Sequence, residues 1–166
     1  MATLKHVRYI FVHTAADARE NGRCDTTAAD IQRWHVARGW AQIGYHYVVR
    51  RDGTIENGRP ETVQGAHVRG LNHCSLGICL SGHHDYAPMT NKQKDALLDL
   101  LVRLCQKYRV PPSAVLGHRE VNLLANSGVI NKIYATSKSC PGRYVDMREL
   151  REKLKQRLNG DDTNAD

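Results

Sequence analysis

The first half of the chain shows apolar patterns that are typical of β-strands. A buried strand ending at His13 is predicted by the nearly continuous apolar run in "HVRYIFVH". A hairpin that turns at Asp52-Gly53 is predicted by "GYHYVVRRDGTIENG", where apolar and polar residues alternate on both sides of the turn. A further apolar strand is expected in "CSLGICLSG". This half of the chain is therefore expected to supply most of a β-sheet.

Helical periodicity marks three other segments. A first helix is predicted in "TTAADIQRWHVARGW", where Thr27 and Asp30 resemble a capping box and Gly39 is a plausible end. The clearest helix is predicted in "TNKQKDALLDLLVRLCQKYRV", with Pro111 and Pro112 after it as a stop. Its apolar stripe consists of Leu97, Leu98, Leu101, Leu104 and Cys105.

A last amphipathic helix is predicted at about residues 146–158. Its apolar face consists of Met147, Leu150, Leu154 and Leu158, and cations crowd the other side. That cationic side is either a solvated face or a surface that attracts the protein to an anionic envelope. Strands mixed with helices predict an α/β fold, with a mixed central β-sheet flanked by α-helices. We expect one domain over residues 1–160 and a disordered tail at 161–166.

Composition adds a charge of +7 and a pI of about 9.3, which favour polyanionic surroundings such as nucleic acid or a bacterial envelope. No nucleic-acid-binding motif is recognisable.

No apolar run approaches the length of a membrane span, and the run before His13 is too short for a signal peptide. We therefore expect the protein to start in the cytoplasm, or to leave it by some other route. An odd count of five cysteines argues against a disulfide framework, and Cys74 and Cys79 are expected in the core.

Among nine histidines, His13 and His118 stand out because each closes a short segment with strand character. His6, His83 and His84 are expected at the surface. Cys140 lies in "TSKSCPG", and two imidazoles with one thiolate suit zinc, leaving a fourth position for water. From residue chemistry alone, three such residues far apart in the chain could equally be unrelated.

Five segments, taken in order along the chain, favour the zinc site over three unrelated residues: "FVHTAAD", "IGYHYVVRRDGTIENGRP", "GAHVRGLNHCSLGICLSG", "GHREV" and "TSKSCPG". Together they closely resemble the zinc-dependent N-acetylmuramoyl-L-alanine amidase family, over about residues 8–145. That family includes phage lysozymes of the amidase type, muropeptide amidases and peptidoglycan recognition proteins. The resemblance implies one Zn²⁺ ion held by His13, His118 and Cys140.

The resemblance also implies roles for other residues. Tyr45 and Lys138 match catalytic positions, and His67 and Asn72 are candidate substrate contacts. Zinc-activated water would cleave the amide bond between N-acetylmuramic acid and L-alanine, with Tyr45 and Lys138 stabilising the oxyanion or handling the proton. The 21 residues between His118 and Cys140 form a longer connection than in the shortest phage enzymes, and we expect a loop beside the groove.

Several functions remain open at this point. The favoured one is a phage endolysin that binds bacterial peptidoglycan and reaches the periplasm from the host cytoplasm without its own signal peptide. Alternatives are a cytosolic amidase that recycles muropeptides and a non-catalytic peptidoglycan-binding module. Some phage lysozymes of this type also bind their phage's RNA polymerase, so a regulatory second role is a further hypothesis. We expect a monomer.

Overall fold

The computed structural model describes residues 1–160, and the predicted tail at 161–166 lies outside the described residues. The strands are β1 Tyr9–Thr14, β2 Tyr47–Val49, β3 Ile55–Asn57, β4 Ser75–Leu80 and β5 Val115–Gly117. The α-helices are α1 Ala28–Ala37, α2 Asn91–Tyr108, α3 Val121–Asn126 and α4 Met147–Leu158. In the described chain, no helix is long and apolar enough to span a membrane.

The five strands form one mixed sheet in the order β3-β2-β4-β1-β5. β1 pairs in parallel with β4 and β5, β2 pairs in parallel with β4, and β2 and β3 form the predicted antiparallel hairpin. The predicted α/β class and mixed sheet are therefore confirmed. Because β1 and β5 run in parallel, their carboxyl ends meet at one edge of the sheet, and the functional side chains gather there.

The helices begin and end for local reasons. Thr27 caps α1 through a complete capping box with Asp30, as predicted. The Thr90 side chain accepts a hydrogen bond from Gln93 N at the start of α2. α2 ends at Tyr108, before the prolines, because Arg109 adopts a left-handed conformation with φ 56°. Asp146 caps α4.

Alternation along β1 divides the core between the two faces of the sheet. Ile10 and Val12 pack with the buried leucines of α2 and α4 on one face. Phe11 packs on the other face with Leu116 and with Val121 of α3. Since His13 is two residues after Phe11, its side chain belongs to this second face, which is also the face toward α1 and α3.

Two expectations require correction. The connection between His118 and Cys140 is not a plain loop, because it contains α3 and a 3₁₀ turn at Lys132–Tyr134. His84 is fully buried, whereas the sequence suggested a surface position. Its imidazole Nδ1 lies 3.0 Å from the Thr14 hydroxyl, and Nε2 lies 3.4 Å from Gln93 Oε1. Two polar partners of this kind permit the burial of an imidazole.

Candidate metal centre and substrate groove

Three side chains with metal-binding atoms meet where β1 and β5 end. His13 is part of β1, His118 directly follows β5, and Cys140 comes from the segment before α4. Their ligand atoms all lie within 4.8 Å of one another, and this is the one group of its kind found among residues 1–160. His13 Nδ1 and Cys140 Sγ are 3.8 Å apart, and the His13 and His118 ring centroids are 4.9 Å apart.

The donor set of this cluster fits zinc. Tetrahedral zinc binds imidazole nitrogen at about 2.0–2.1 Å and thiolate sulfur at about 2.3 Å, which separates its ligand atoms by about 3.5 Å. His13 Nδ1 and Cys140 Sγ, 3.8 Å apart, are already close to that separation, and all three ligand atoms lie within 4.8 Å of one another. Three protein ligands leave the fourth tetrahedral position open, as catalytic zinc sites do.

A chain of hydrogen bonds fixes which nitrogen of His13 carries a proton. The Leu71 carbonyl can only accept, so the Ser75 hydroxyl, 2.7 Å away, donates to it. Ser75 Oγ then accepts from His67 Nε2 at 3.3 Å, which leaves His67 Nδ1 as an acceptor. His13 Nε2 lies 2.9 Å from that Nδ1 and therefore donates. The lone pair of His13 is consequently on Nδ1, the nitrogen that faces Cys140.

Two glycines leave room for the His67 ring. A Cβ atom added at Gly77 in β4 would lie 2.7 Å from Cγ of His67, and one at Gly65 would lie 2.8 Å from its Cδ2. Neither glycine has a positive φ, so the requirement at these positions is space rather than backbone conformation. The sheet is therefore shaped to hold His67 against His13.

Several contacts hold Cys140 in place. The Thr14 N–H lies 3.4 Å from the Cys140 sulfur. The Arg119 backbone N–H donates to the Cys140 carbonyl at 2.7 Å, and its guanidinium donates to the Ser139 and Gly142 carbonyls at 3.1 and 2.8 Å. Because Arg119 directly follows His118, one short segment orients two of the three candidate ligands.

The turn at residues 83–85, of which His84 is buried, supports the segment that carries Cys140. The Asp85 carboxylate accepts hydrogen bonds from the Ser139 hydroxyl at 2.6 Å and from Arg143 N at 2.9 Å. Gly142 has φ 116°, and a Cβ there would lie 2.4 Å from the carbonyl carbon of His84. Sequence reasoning missed these supporting roles, although the "HHD" run at 83–85 was a signal that the segment carries more than a surface turn.

A groove of about 270 Å³ opens above the cluster. Tyr45, His67 and Lys138 line it together with the three candidate ligands. α1 and the loop after it supply a further wall that sequence reasoning did not predict: Ile31, Trp34, His35, Arg38 and Trp40. The available signal was that both tryptophans of the chain lie here, Trp34 within α1 and Trp40 just after it.

Burial controls the protonation of the cluster. Burial, together with the nearby Lys138 ammonium, lowers the pKa of His118 to about 4. Burial, followed by the neighbouring His67 and His118, holds the pKa of His13 well below its usual value. It raises the pKa of the Cys140 thiol to about 11, with Lys138 acting in the opposite direction. The imidazoles are therefore ready to bind a metal at neutral pH, whereas Cys140 must lose a proton when it does.

The other predicted residues divide between the groove and its support. The centroids of the Tyr45 and His13 rings are 5.0 Å apart, and burial raises the pKa of Tyr45 well above its usual value. Asn72 is not among the groove-lining residues. Its carboxamide oxygen accepts from the backbone N–H groups of His67 and Val68, both at 2.9 Å. The structure thus gives Asn72 a supporting position behind His67.

Comparison with known proteins identifies the family. Residues 3–143 match the family described as N-acetylmuramoyl-L-alanine amidase. The chain belongs to this family. Its relatives include the endolysin of Escherichia phage T7, to which it is 41% identical over 118 residues, or 68% of this chain and 74% of that protein.

Two further members extend the likeness. The chain is 33% identical over 136 residues to peptidoglycan-recognition protein SC2 of Drosophila melanogaster, covering 80% of this chain and 66% of that protein. Among solved structures, N-acetylmuramoyl-L-alanine amidase LysC from Clostridium intestinale URNW superposes with a TM-score of 0.75 at 29% identity. That match covers 90% of this chain and 86% of the other. The resemblance seen in the sequence is therefore confirmed.

Proposed function

We propose that this amidase is a phage endolysin that hydrolyses the amide bond between N-acetylmuramic acid and L-alanine in peptidoglycan. The observation that carries the proposal is the convergence of His13, His118 and Cys140 at the floor of a groove. Family membership and the similarity to phage endolysins support the same substrate and bond.

His13, His118 and Cys140 would hold one Zn²⁺ ion. When bound, zinc would supply Lewis-acid chemistry that activates water at neutral pH and polarises the substrate carbonyl. The support for this cofactor is the donor set, its spacing and the tautomer of His13, which directs a lone pair toward the thiol.

Lys138 and Tyr45 both line the groove and would act on the substrate there. Lys138 is exposed at the groove wall, where its ammonium can stabilise the negative charge that develops on the amide oxygen. Tyr45 has a raised pKa, so its hydroxyl stays protonated and serves as a hydrogen-bond donor rather than as a base. The leaving L-alanine amine takes up a proton in the same reaction.

His67 would act through His13. It accepts the His13 Nε2 proton and so selects the nitrogen that is offered to the metal. Asn72 would in turn fix the backbone of His67. We retain His67 as a candidate substrate contact because it also lines the groove, and we propose that Asn72 acts on substrate only through that loop.

The test is the mass of the products released from purified sacculi. We expect free stem peptides that begin with L-alanine, together with glycan strands that have lost their peptides. Products cut within the glycan or within the peptide would contradict the proposal. Intact sacculi compared with soluble anhydro-muropeptides separate an endolysin from a recycling amidase, since a recycling enzyme would prefer the soluble fragments. Release from the host cytoplasm, a monomeric state and an RNA polymerase partner remain predictions.

A further inference from the structure

An exposed apolar surface lies on the segment between His118 and Cys140, outside the catalytic groove. Five large apolar side chains among residues 1–160 are more than half exposed, and three of them lie here: Leu123 at 62%, Val129 at 53% and Ile133 at 72%. None of these three lines the groove. Clusters of exposed aliphatic side chains mark interaction sites on soluble proteins.

The exposure is built into the fold of this segment. Val121 and Ala125 of α3 are buried, and Leu124 and Ile130 pack against the same core cluster. Leu123, Val129 and Ile133 are therefore exposed on a segment whose other large aliphatic side chains pack against the domain.

Local hydrogen bonds hold the segment in this arrangement. The Asn122 carboxamide donates to the Thr136 carbonyl and accepts from Thr136 N, both at 2.9 Å, which closes the segment at its base. Val129 N donates to the Leu124 carbonyl at 2.9 Å. The outward side chains are thus presented by a structured element.

The positive charge of this segment favours an anionic binding partner. Residues 121–145 contain no aspartate or glutamate. Lys132 and Lys138 lie in this stretch, and neither has an ion-pair partner in the described chain. A surface that combines free cations with exposed aliphatics matches the interface of an anionic bilayer, where acyl chains lie beneath phosphate headgroups.

The C-terminal helix is less available for this purpose. Arg151 pairs with Glu120 at 2.7 Å, and Arg157 lies 2.7 Å from Asp99 and 3.3 Å from Asp95. The apolar face of α4 is buried in the core through Met147, Leu150 and Leu154. Three of its five cations, Arg151, Lys153 and Arg157, are therefore in ion pairs, and the helix has no exposed aliphatic row to insert.

We propose that the surface formed by Leu123, Val129, Lys132 and Ile133 docks on anionic phospholipid membranes. Lys138, at the end of the same segment, lines the catalytic groove, so docking would bring the groove close to the membrane surface. The proposal concerns membrane binding and does not depend on which bond the enzyme cuts.

Co-sedimentation with large unilamellar vesicles tests this surface. The wild-type chain should pellet with phosphatidylethanolamine–phosphatidylglycerol vesicles (3:1) and much less with phosphatidylcholine vesicles. Replacing Leu123, Val129 and Ile133 together by serine should lower the partition coefficient by about tenfold or more, since three aliphatic side chains no longer enter the interface. Lys132→Gln should lower it by about fivefold on the anionic vesicles alone.

A matched variant controls for general loss of apolar surface. Val36, Ile55 and Tyr86 are also exposed, so their joint replacement by serine should change the partition coefficient by less than about twofold. Both triple variants should keep the wild-type melting temperature and hydrolyse a soluble muropeptide at the wild-type rate. A wild-type chain that does not sediment, or equal losses in the two triple variants, would overturn the proposal.

A second measurement works even if the triple variant folds poorly. The Ile133→Trp variant adds a fluorescent reporter to this surface. Its emission is obtained by subtracting the wild-type spectrum, and it should shift to the blue when anionic vesicles are added. Tyr86→Trp should show no such shift. The absence of a shift in Ile133→Trp, or a larger binding loss from neutralising the distant cations Arg8 and Arg109 than from Lys132→Gln, would refute this docking site.

Discussion

Replacing His67 by alanine should weaken zinc binding without removing a ligand. The substitution deletes the acceptor of the His13 Nε2 proton, which lies 2.9 Å away in the wild-type chain. His13 is 1% exposed in the wild-type chain, so a water molecule could replace that acceptor only by entering the space left by the ring. A buried donor that loses its partner costs about 1–3 kcal/mol. A cost of 1–3 kcal/mol corresponds to about a 5- to 160-fold change in affinity. Removing the partner of a ligating imidazole typically costs about 10- to 100-fold in metal affinity, and we expect a loss in that range.

The assay is a competition titration against a chromophoric chelator at neutral pH. We expect His67→Ala to bind one zinc ion per chain with 10- to 100-fold lower affinity, and His67→Gln to recover part of the loss because its amide oxygen can accept the same proton. The ¹⁵N chemical shifts of the His13 ring in the metal-free protein should report the Nε2-protonated tautomer in wild type and a mixture of tautomers in His67→Ala.

Two results would refute the reasoning. Zinc affinity within about twofold of wild type in His67→Ala would show that the hydrogen bond does not prepare His13. A wild-type His13 protonated on Nδ1 would contradict the hydrogen-bond chain that begins at the Leu71 carbonyl.

Three further predictions concern the segment at residues 138–142 and acid stability. Cys140→Ser should lose zinc and the thermal stability that zinc adds. Lys138→Ala should keep the wild-type zinc content and melting temperature but lose about 100-fold in turnover. Zinc loss in Lys138→Ala would contradict this division of roles. Gly142→Ala should lower the melting temperature by several degrees, because its Cβ would meet the His84 backbone at 2.4 Å; an unchanged melting temperature would contradict that contact. Burial raises the pKa of Glu61, but hydrogen bonds led by the one from Lys107 outweigh it and lower the value to about 2. The stabilisation by Glu61 should therefore be complete above about pH 4.5 and disappear as the pH falls toward 2, and Glu61→Gln should flatten this part of a melting-temperature profile.

Sequence patterns predicted the fold well because most elements carry local signals. The capping box at Thr27, the turn at Asp52-Gly53 and the apolar stripe of α2 depend on neighbouring residues, and all three are present in the structure. The short helix α3 was missed, since its six residues carry too few periodic positions to distinguish a helix from a loop.

The candidate ligands were identified by family resemblance rather than by spacing. His13 and Cys140 are 127 positions apart, and only the parallel pairing of β1 with β5 brings the histidines together. Two features were not predictable from the sequence: the buried position of His84 and the support that Asp85 gives to the segment of Cys140. Both depend on a long-range contact between the turn at residues 83–85 and the segment at residues 139–143.

X-ray absorption at the zinc edge of the metal-loaded protein tests the central claim most directly. We expect one sulfur ligand at about 2.3 Å, two imidazole nitrogens at about 2.0–2.1 Å and one further light atom. In Cys140→Ser, the sulfur contribution should disappear. A wild-type spectrum without sulfur, or one that requires more than one sulfur, would contradict a site formed by His13, His118 and Cys140.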